Sequence, residues 1–123
     1  MTISRTFCAA HQLRLADGSL EPVHGHNWHV RVVVARHDGE LDASDCVIDF
    51  HDLEARLDHV IGPWDNANLA DQAPFRDGVN ASAERVAEGV ATGLSLPEGV
   101  EVKTVHVTEA PGCEATWHAD VSG

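Results

Sequence analysis

Hydrophobic and polar positions alternate along the segment that begins at His24 and ends at the turn residues "HDGE", positions 37–40. One set of alternate positions begins with two histidines and continues with hydrophobic residues: His24, His26, Trp28, Val30, Val32 and Val34. The intervening set is more polar: Asn27, His29, Arg31, Val33 and Ala35. Successive side chains of a strand point to opposite faces, so this pattern predicts one long strand with two unlike faces.

Three further strands are predicted outside this segment. The first covers Ile3–His11 and precedes a loop with the sequence "LADGSLEP". The other two cover Val100–Thr108 and about Cys113–His118, and the turn residues of "EAPG" join them as a hairpin.

Helical spacing of hydrophobic residues follows the long strand, in two segments. In "DFHDLEARLDHVIG", which ends at Gly62-Pro63, the hydrophobic stripe comprises Phe50, Leu53, Leu57 and Val60 or Ile61. In "NASAERVAEGVATGL", where Ser82 is placed to cap the N-terminus, the stripe comprises Val86, Val90 and Leu94. Gly89 and Gly93 lower the helical propensity of this second segment.

The order of these elements is β-β-α-α-β-β. It predicts an α+β fold of one domain over residues 1–123, in which two helices cover one face of an antiparallel four-stranded sheet. A chain of 123 residues is long enough to bury a substantial core.

Charge limits the possible partners. The chain has 20 acidic residues against 8 basic ones and a formal net charge of −12 at pH 7. Phosphate binding relies on Lys and Arg, so nucleic acid and anionic membranes are not expected as partners.

The cysteines and the N-terminal sequence indicate a compartment. Cys8, Cys46 and Cys113 are an odd number without a CxxC pair, so neither a disulfide framework nor a cysteine zinc site is predicted. The N-terminal residues lack a basic start followed by a long apolar run, and no segment has the length of a membrane-spanning helix. We expect a soluble protein of the cytoplasm.

Three histidines lie within the segment "PVHGHNWHV", positions 22–30. His24 and His26 are two residues apart on a predicted strand, so the two residues lie on one face about 6.5 to 7 Å apart, and their imidazoles can lean toward each other to share a metal. His11, at the end of the neighbouring predicted strand, is best placed to supply a third nitrogen. Three histidines with an open fourth position are typical of catalytic zinc. The alternative is that these are ordinary half-buried histidines.

Six segments resemble, in order and spacing, the 6-pyruvoyl-tetrahydropterin synthase and 6-carboxy-tetrahydropterin synthase family: "FCAAHQL", "HGHNWHV", "VIDFHDLEARL", "WDNANLAD", "NASAE" and "VTEAPGC". The resemblance covers nearly the whole chain, and the set of motifs is specific as a group. It implies a T-fold, in which three subunits close a barrel and two trimers stack as a homohexamer.

The resemblance also implies roles for individual residues. The family's zinc ligands correspond to His11, His24 and His26, and its pterin-anchoring glutamate corresponds to Glu109. A single carboxylate can accept two parallel hydrogen bonds from the amino and ring N–H groups of a pterin. Without the resemblance, Glu109 would be interpreted as a turn residue at the entrance of the hairpin.

Two positions depart from the family pattern. The family has a catalytic cysteine four residues before the HGH motif, and in this chain that position holds Leu20. None of the three cysteines lies at a position in the sequence from which it could replace the missing one. The Asp-His pair that a neighbouring subunit supplies corresponds to Asp65-Asn66, so only Asp65 is retained. Neither leucine nor a neutral amide can act as a general base, so the usual synthase reaction is expected to be slow.

Glu21 offers a replacement for the missing cysteine. It stands three residues before His24, and the sequence ExxHGH resembles a variant branch of the family in which a glutamate replaces the cysteine. That branch is associated with cutting the side chain of dihydroneopterin to 6-hydroxymethyl-dihydropterin, a retro-aldol step that feeds folate synthesis. The alternative is that Glu21 is a solvated loop residue.

Three functions remain open at this stage. The first is a zinc-dependent lyase that acts on the side chain of a 7,8-dihydroneopterin-type pterin, with Glu21 and Asp65 catalytic and Glu109 binding substrate. The second is a pterin-binding homologue without synthase activity, and the third is a small acidic zinc-binding or assembly protein. Free and triphosphorylated substrates, and the folate, queuosine and biopterin pathways, are not distinguished.

Overall fold

A single sheet of five strands carries the fold of residues 1–120, which the computed structural model describes. Its strands are β1 (Thr2–His11), β2 (His24–Arg36), β3 (Ala67–Asn68), β4 (Val100–Ala110) and β5 (Cys113–His118). Their order across the sheet is β3-β1-β2-β4-β5, and every neighbouring pair is antiparallel except β3 with β1. The helices are α1 (Phe50–Ile61) and α2 (Ala83–Gly93).

The predicted element order is confirmed, but the prediction of four strands is wrong by one. The additional strand, β3, has two residues and pairs in parallel with Ala9 and Ala10 of β1. Alternation of hydrophobic and polar residues requires a longer run than two residues, so this strand leaves no pattern in the sequence.

The two faces of β2 differ as the alternation predicts. Trp28, Val30, Val32 and Val34 are buried, whereas Asn27, His29 and Arg31 are exposed. The buried face forms a core with the inner residues of both helices: Leu53, Leu57, Ile61, Val86 and Val90. Both helices therefore cover the same face of the sheet, and the other face is polar.

Helix α2 begins at the predicted cap, Ser82, whereas the cap of α1, Asp49, was not predicted, and the hydrophobic stripes of both helices differ in part from the predicted ones. Ser82 accepts a hydrogen bond from the backbone N–H of Arg85, and Asp49 accepts one from the backbone N–H of Asp52. Phe50, the first residue of α1, is 53% exposed, whereas Leu53 in the same turn is buried in the core. Leu94 follows the last residue of α2 and is half-buried.

The two glycines of α2 lie where other elements approach it. A Cβ on Gly89 would lie 3.2 Å from Cη2 of the buried Trp64, and a Cβ on Gly93 would lie 3.2 Å from Cγ1 of Val60. Glycine therefore permits close packing at a cost in helical propensity. None of the helices in residues 1–120 has the length and apolar character needed to cross a membrane.

Candidate metal and pterin site

The pairing of β1 with β2 brings three histidines together. His11 lies opposite His24, and His26 lies opposite Ala9, two residues along the same face. The Nε2 atoms of His11 and His24 are 2.9 Å apart, and the ring centroids of His24 and His26 are 4.8 Å apart. Both His11 and His26 also contact the ring of the buried Trp28 edge-on. Trp28 thus forms an apolar wall beneath the cluster.

Backbone carbonyls fix the tautomers of two of these histidines. Nδ1 of His11 lies 2.7 Å from the carbonyl oxygen of Ala81, and Nδ1 of His24 lies 2.9 Å from that of Pro22. A carbonyl oxygen only accepts, so both Nδ1 atoms carry the proton and donate. Each Nε2 then presents a lone pair to the centre of the cluster, which is the usual orientation of metal-binding histidines.

A bulge in β4 adds a carboxylate to the cluster. The pairing of β4 with β5 passes from Thr108–Glu114 to Ala110–Cys113, which leaves Glu109 without a partner across the strands. Its Oε1 lies 3.0 Å from Nε2 of His11 and 2.9 Å from Nε2 of His26. Bulges commonly occur beside active sites, where they redirect a side chain.

The four side chains fit a metal ion. The ligand atoms of His11, His24, His26 and Glu109 all lie within 4.8 Å of one another. A tetrahedral zinc ion with bonds of 2.0–2.1 Å requires ligand atoms roughly 3.4 Å apart, so the spacing is of the right order. With both Nδ1 atoms protonated, the neutral rings of His11 and His24 direct their Nε2 lone pairs at each other across 2.9 Å, a contact that a bound cation would stabilise. Within residues 1–120, the buried Nε2 of His26 makes no hydrogen bond, despite the nearby Glu109.

Glu21 lies at the edge of this cluster. Its Oε1 is 3.8 Å from Nε2 of His24 and accepts a hydrogen bond of 3.1 Å from the backbone N–H of Leu13. The backbone N–H of Glu21 donates in return to the carbonyl of Leu13 at 3.0 Å. The carboxylate is half-buried and oriented, in contrast to the freely solvated loop residue of the alternative interpretation.

A cavity of about 490 Å³ opens beside the cluster, between residues 25–29 of β2 and 108–111 at the end of β4. Its lining includes His26 and Glu109. Cavities that bind small molecules usually have volumes of 300–1,000 Å³, so this one is large enough for a bicyclic ring. Glu109 can therefore reach both the histidines and a molecule in this cavity.

Two of the predicted positions lie outside the cluster. Oδ1 of Asp65 accepts a hydrogen bond of 3.0 Å from the backbone N–H of Cys8, and the backbone N–H of Asn66 donates to the carbonyl of Cys8 at 2.6 Å. Asn66 has a φ of 59°, a left-handed conformation that asparagine tolerates better than most residues. Within one chain, Asp65 and Asn66 therefore bind the backbone of β1 at Cys8.

The missing thiol has no substitute among the cysteines. Leu20 is 59% exposed and forms an isolated bridge with Arg14. Cys8 and Cys113 are exposed, Cys46 is half-buried, and none of the three belongs to the histidine cluster found in residues 1–120. Among residues 1–120, the carboxylates of Glu21 and Glu109 lie 2.9–3.8 Å from Nε2 atoms of the histidines.

Sequence comparison decides the family. The sequence model of the 6-pyruvoyl tetrahydropterin synthase family matches residues 1–120. The chain belongs to this family. A member provisionally named 6-carboxy-5,6,7,8-tetrahydropterin synthase, from Archaeoglobus fulgidus, is 29% identical over 94 residues, which cover 76% of this chain and 78% of that protein.

Solved structures of family members share the fold. The Caenorhabditis elegans 6-pyruvoyl tetrahydropterin synthase matches with a TM-score of 0.76 at 24% identity, covering 98% of this chain and 94% of that one. A Plasmodium vivax 6-pyruvoyltetrahydropterin synthase, in which a catalytic glutamate is replaced by alanine, matches with a TM-score of 0.66 at 20% identity. That match covers 98% of this chain and 97% of the other. The T-fold of the subunit is thereby confirmed.

Trp28 and the carbonyls of Pro22 and Ala81 are functional neighbours that sequence analysis did not assign. Trp28 carries a signal, since it follows His26 by two residues on the same strand face. The carbonyls carry none, because every residue has one.

Proposed function

We propose that this protein is a zinc-dependent lyase that cleaves the side chain of a 7,8-dihydroneopterin-type pterin and releases 6-hydroxymethyl-dihydropterin. The observation that carries the proposal is the Glu21 carboxylate, oriented by Leu13 and 3.8 Å from Nε2 of His24. It supplies a proton acceptor beside the histidines, where the position of the family's cysteine holds Leu20.

Each residue of the site has a separate task in this proposal. His11, His24 and His26 hold the zinc ion through Nε2, and Glu109 accepts hydrogen bonds from the amino and ring N–H groups of the pterin. A zinc ion bound by these histidines would polarise the oxygens of the substrate side chain and lower their pKa. The cavity beside Glu109 receives the ring.

Glu21 moves the proton in the retro-aldol step. It takes the proton from the hydroxyl on the second side-chain carbon, and the electron pair of that O–H bond forms a carbonyl. The bond between the first and second carbons breaks, and its electrons pass into the conjugated ring system. A two-carbon aldehyde leaves, and the proton returns to the first carbon.

The named relatives support this choice without deciding it. The P. vivax enzyme has a glutamate described as its catalytic residue, which makes a catalytic carboxylate chemically compatible with this fold. The A. fulgidus relative is provisionally named for a different product, a 6-carboxy-tetrahydropterin, which identification of the product by mass distinguishes from 6-hydroxymethyl-dihydropterin.

A homohexamer completes the proposed site. Asp65 lies apart from the histidines of its own chain, where it contacts Cys8. In a dimer of trimers, a neighbouring subunit would bring Asp65 to the cluster as a second proton-handling group. The short edge strand β3 and the open edge of β5 both leave backbone groups available for pairing between subunits.

To test the proposal, zinc-loaded protein is incubated with dihydroneopterin and with its triphosphate, and the products are identified by mass. We expect 6-hydroxymethyl-dihydropterin, a loss of about 10² to 10⁴ in its rate of formation in Glu21→Ala, and unchanged zinc content. Glu98→Ala, which removes an exposed glutamate far along the chain, serves as the matched control. A wild-type protein without this product, or an undiminished rate in Glu21→Ala, would show that the proposal is wrong.

A further inference from the structure

Asn80 joins two distant segments of the chain through its side chain alone. The backbone N–H of Arg14 donates to Asn80 Oδ1 at 2.9 Å, and Asn80 Nδ2 donates to the carbonyl of Arg14 at 2.9 Å. The amide thus satisfies both backbone groups of Arg14, as a neighbouring strand would. Asn80 is half-buried, and 66 residues separate it from Arg14 along the chain.

Arg14 adjoins the residue that orients Glu21. The backbone N–H of Leu13 donates a hydrogen bond to the Glu21 carboxylate, and the carbonyl of Leu13 accepts one from the backbone N–H of Glu21. Between these two residues, positions 14–20 are all exposed, and their described backbone contacts stay within the loop apart from those to Asn80. Within the described residues, Asn80 is therefore the side chain whose hydrogen bonds join positions 14–20 to a distant segment of the chain.

The segment that carries Asn80 is itself fixed to the histidine cluster. The carbonyl of the next residue, Ala81, accepts the hydrogen bond of 2.7 Å from His11 Nδ1. Ser82 then caps α2. Because these two contacts hold the chain at Ala81 and Ser82, directly after Asn80, the position of Asn80 is defined relative to His11.

We propose that Asn80 is a positioning residue, which holds the loop from Leu13 to Glu21 so that the Glu21 carboxylate stays beside the histidine cluster. This inference rests on the proposed function in one respect, the role of Glu21 in proton transfer. A displacement of about 1 Å at a reacting group can cost 10²-fold in rate. We therefore expect Asn80→Ala to lower kcat by about 10- to 100-fold and to leave KM nearly unchanged, since Glu109 anchors the ring.

A double-mutant cycle tests whether Asn80 acts through Glu21. The variants are Asn80→Ala, Glu21→Ala and the double variant, each with its zinc content and thermal midpoint measured. We expect the double variant to be no slower than Glu21→Ala, because a residue that positions Glu21 has nothing to position once the carboxylate is gone. Multiplied losses in the double variant would overturn the proposal, since they would indicate a general structural role.

Two variants serve as references. Asp42→Ala likewise removes two hydrogen bonds between a side chain and the backbone, in this case those that Asp42 accepts from the N–H groups of Ser44 and Cys46 in the loop that precedes α1. It should leave kcat within twofold of wild type. Asn80→Asp keeps the acceptor for the N–H of Arg14 and loses the donor to its carbonyl, so its kcat should lie between those of wild type and Asn80→Ala.

Hydrogen exchange of the Leu13 amide separates this inference from the proposed function. In Asn80→Ala the Leu13 N–H should exchange at least tenfold faster, with or without catalytic activity, while the amides of β2 remain protected. Unchanged protection of Leu13 would show that Asn80 does not hold the loop. If Glu21→Ala retains full activity, the proposed catalytic role fails, and exchange at Leu13 alone decides the positioning role.

Discussion

At the scale of single residues, two carbonyl oxygens decide what the histidine cluster can bind. Those of Ala81 and Pro22 accept the Nδ1 protons of His11 and His24, which leaves the Nε2 lone pairs directed at a common centre. Outer contacts of this kind typically change metal affinity by 10- to 100-fold. Because they come from the backbone, substitution of a neighbouring side chain does not remove them.

Replacing His24 or His26 by alanine should remove most of the bound zinc. Each change removes one of three nitrogen ligands, and the two remaining imidazoles cannot complete a tetrahedral site. Both side chains lie at the opening of the site and not in the hydrophobic core, so the variants should stay folded. Metal analysis of purified protein, with circular dichroism as the check on folding, measures this. Full metal content in both single variants would contradict the metal assignment.

Alanine substitutions of Glu109 and Glu21 should affect different properties of the protein. Glu109→Ala should weaken pterin binding, because the ring loses its carboxylate partner, whereas Glu21→Ala should bind pterin normally and lose turnover. Calorimetric titration with a non-reactive pterin measures the first effect, and metal analysis accompanies it. Glu109 lies within 3.0 Å of His11 and His26, so a loss of zinc in Glu109→Ala would instead assign this carboxylate as a metal ligand.

At the scale of elements, regular patterns were predictable and local irregularities were not. The alternation in β2 predicted which residues are buried, and the HxH spacing predicted that the two imidazoles share a face. The bulge at Glu109 interrupts no hydrophobic pattern, so the position of this carboxylate was implied by family resemblance alone. The contact of Asn80 with Arg14 was not predictable, because a side chain that pairs with distant backbone leaves no local periodicity.

Gly89 illustrates a conflict between local propensity and packing. Alanine is favoured over glycine in a helix by about 1 kcal/mol. However, a Cβ at this position would lie 3.2 Å from Cη2 of Trp64, a buried indole held by a hydrogen bond from Nε1 to the carbonyl of Ala73. Overpacking of this kind costs about 1–3 kcal/mol, so its cost should exceed the gain in helical propensity.

We therefore expect Gly89→Ala to lower the free energy of unfolding by about 1 kcal/mol, measured by urea denaturation. Gly93→Ala is the matched comparison, since its Cβ would meet the half-buried Val60, which can shift, and we expect a change within about 0.5 kcal/mol. Equal stabilisation by both substitutions would show that helical propensity dominates at both positions.

At the scale of the whole molecule, the sheet is only half covered. The helices pack on one face, while the opposite face exposes polar residues, among them Thr6, His29, Arg31 and Glu114. Both edges of the sheet are open within the described chain, and β3 at one edge has only two residues. Closing several sheets into a barrel pairs such edges and encloses the polar face.

We expect light scattering to report a hexamer of about six times the 13.2 kDa chain mass. Each chain carries a formal charge of −12, so the subunits repel one another, and this repulsion is least screened at low ionic strength. The Debye length is about 30 Å in 0.01 M salt and about 8 Å in 0.15 M salt. On dilution, the hexamer should therefore begin to dissociate at a higher protein concentration in 0.01 M salt than in 0.15 M salt. A monomer at micromolar concentration in both buffers would contradict the assembly. A catalytic role of Asp65 from a neighbouring subunit would then also be excluded, because no second chain would be present to supply it.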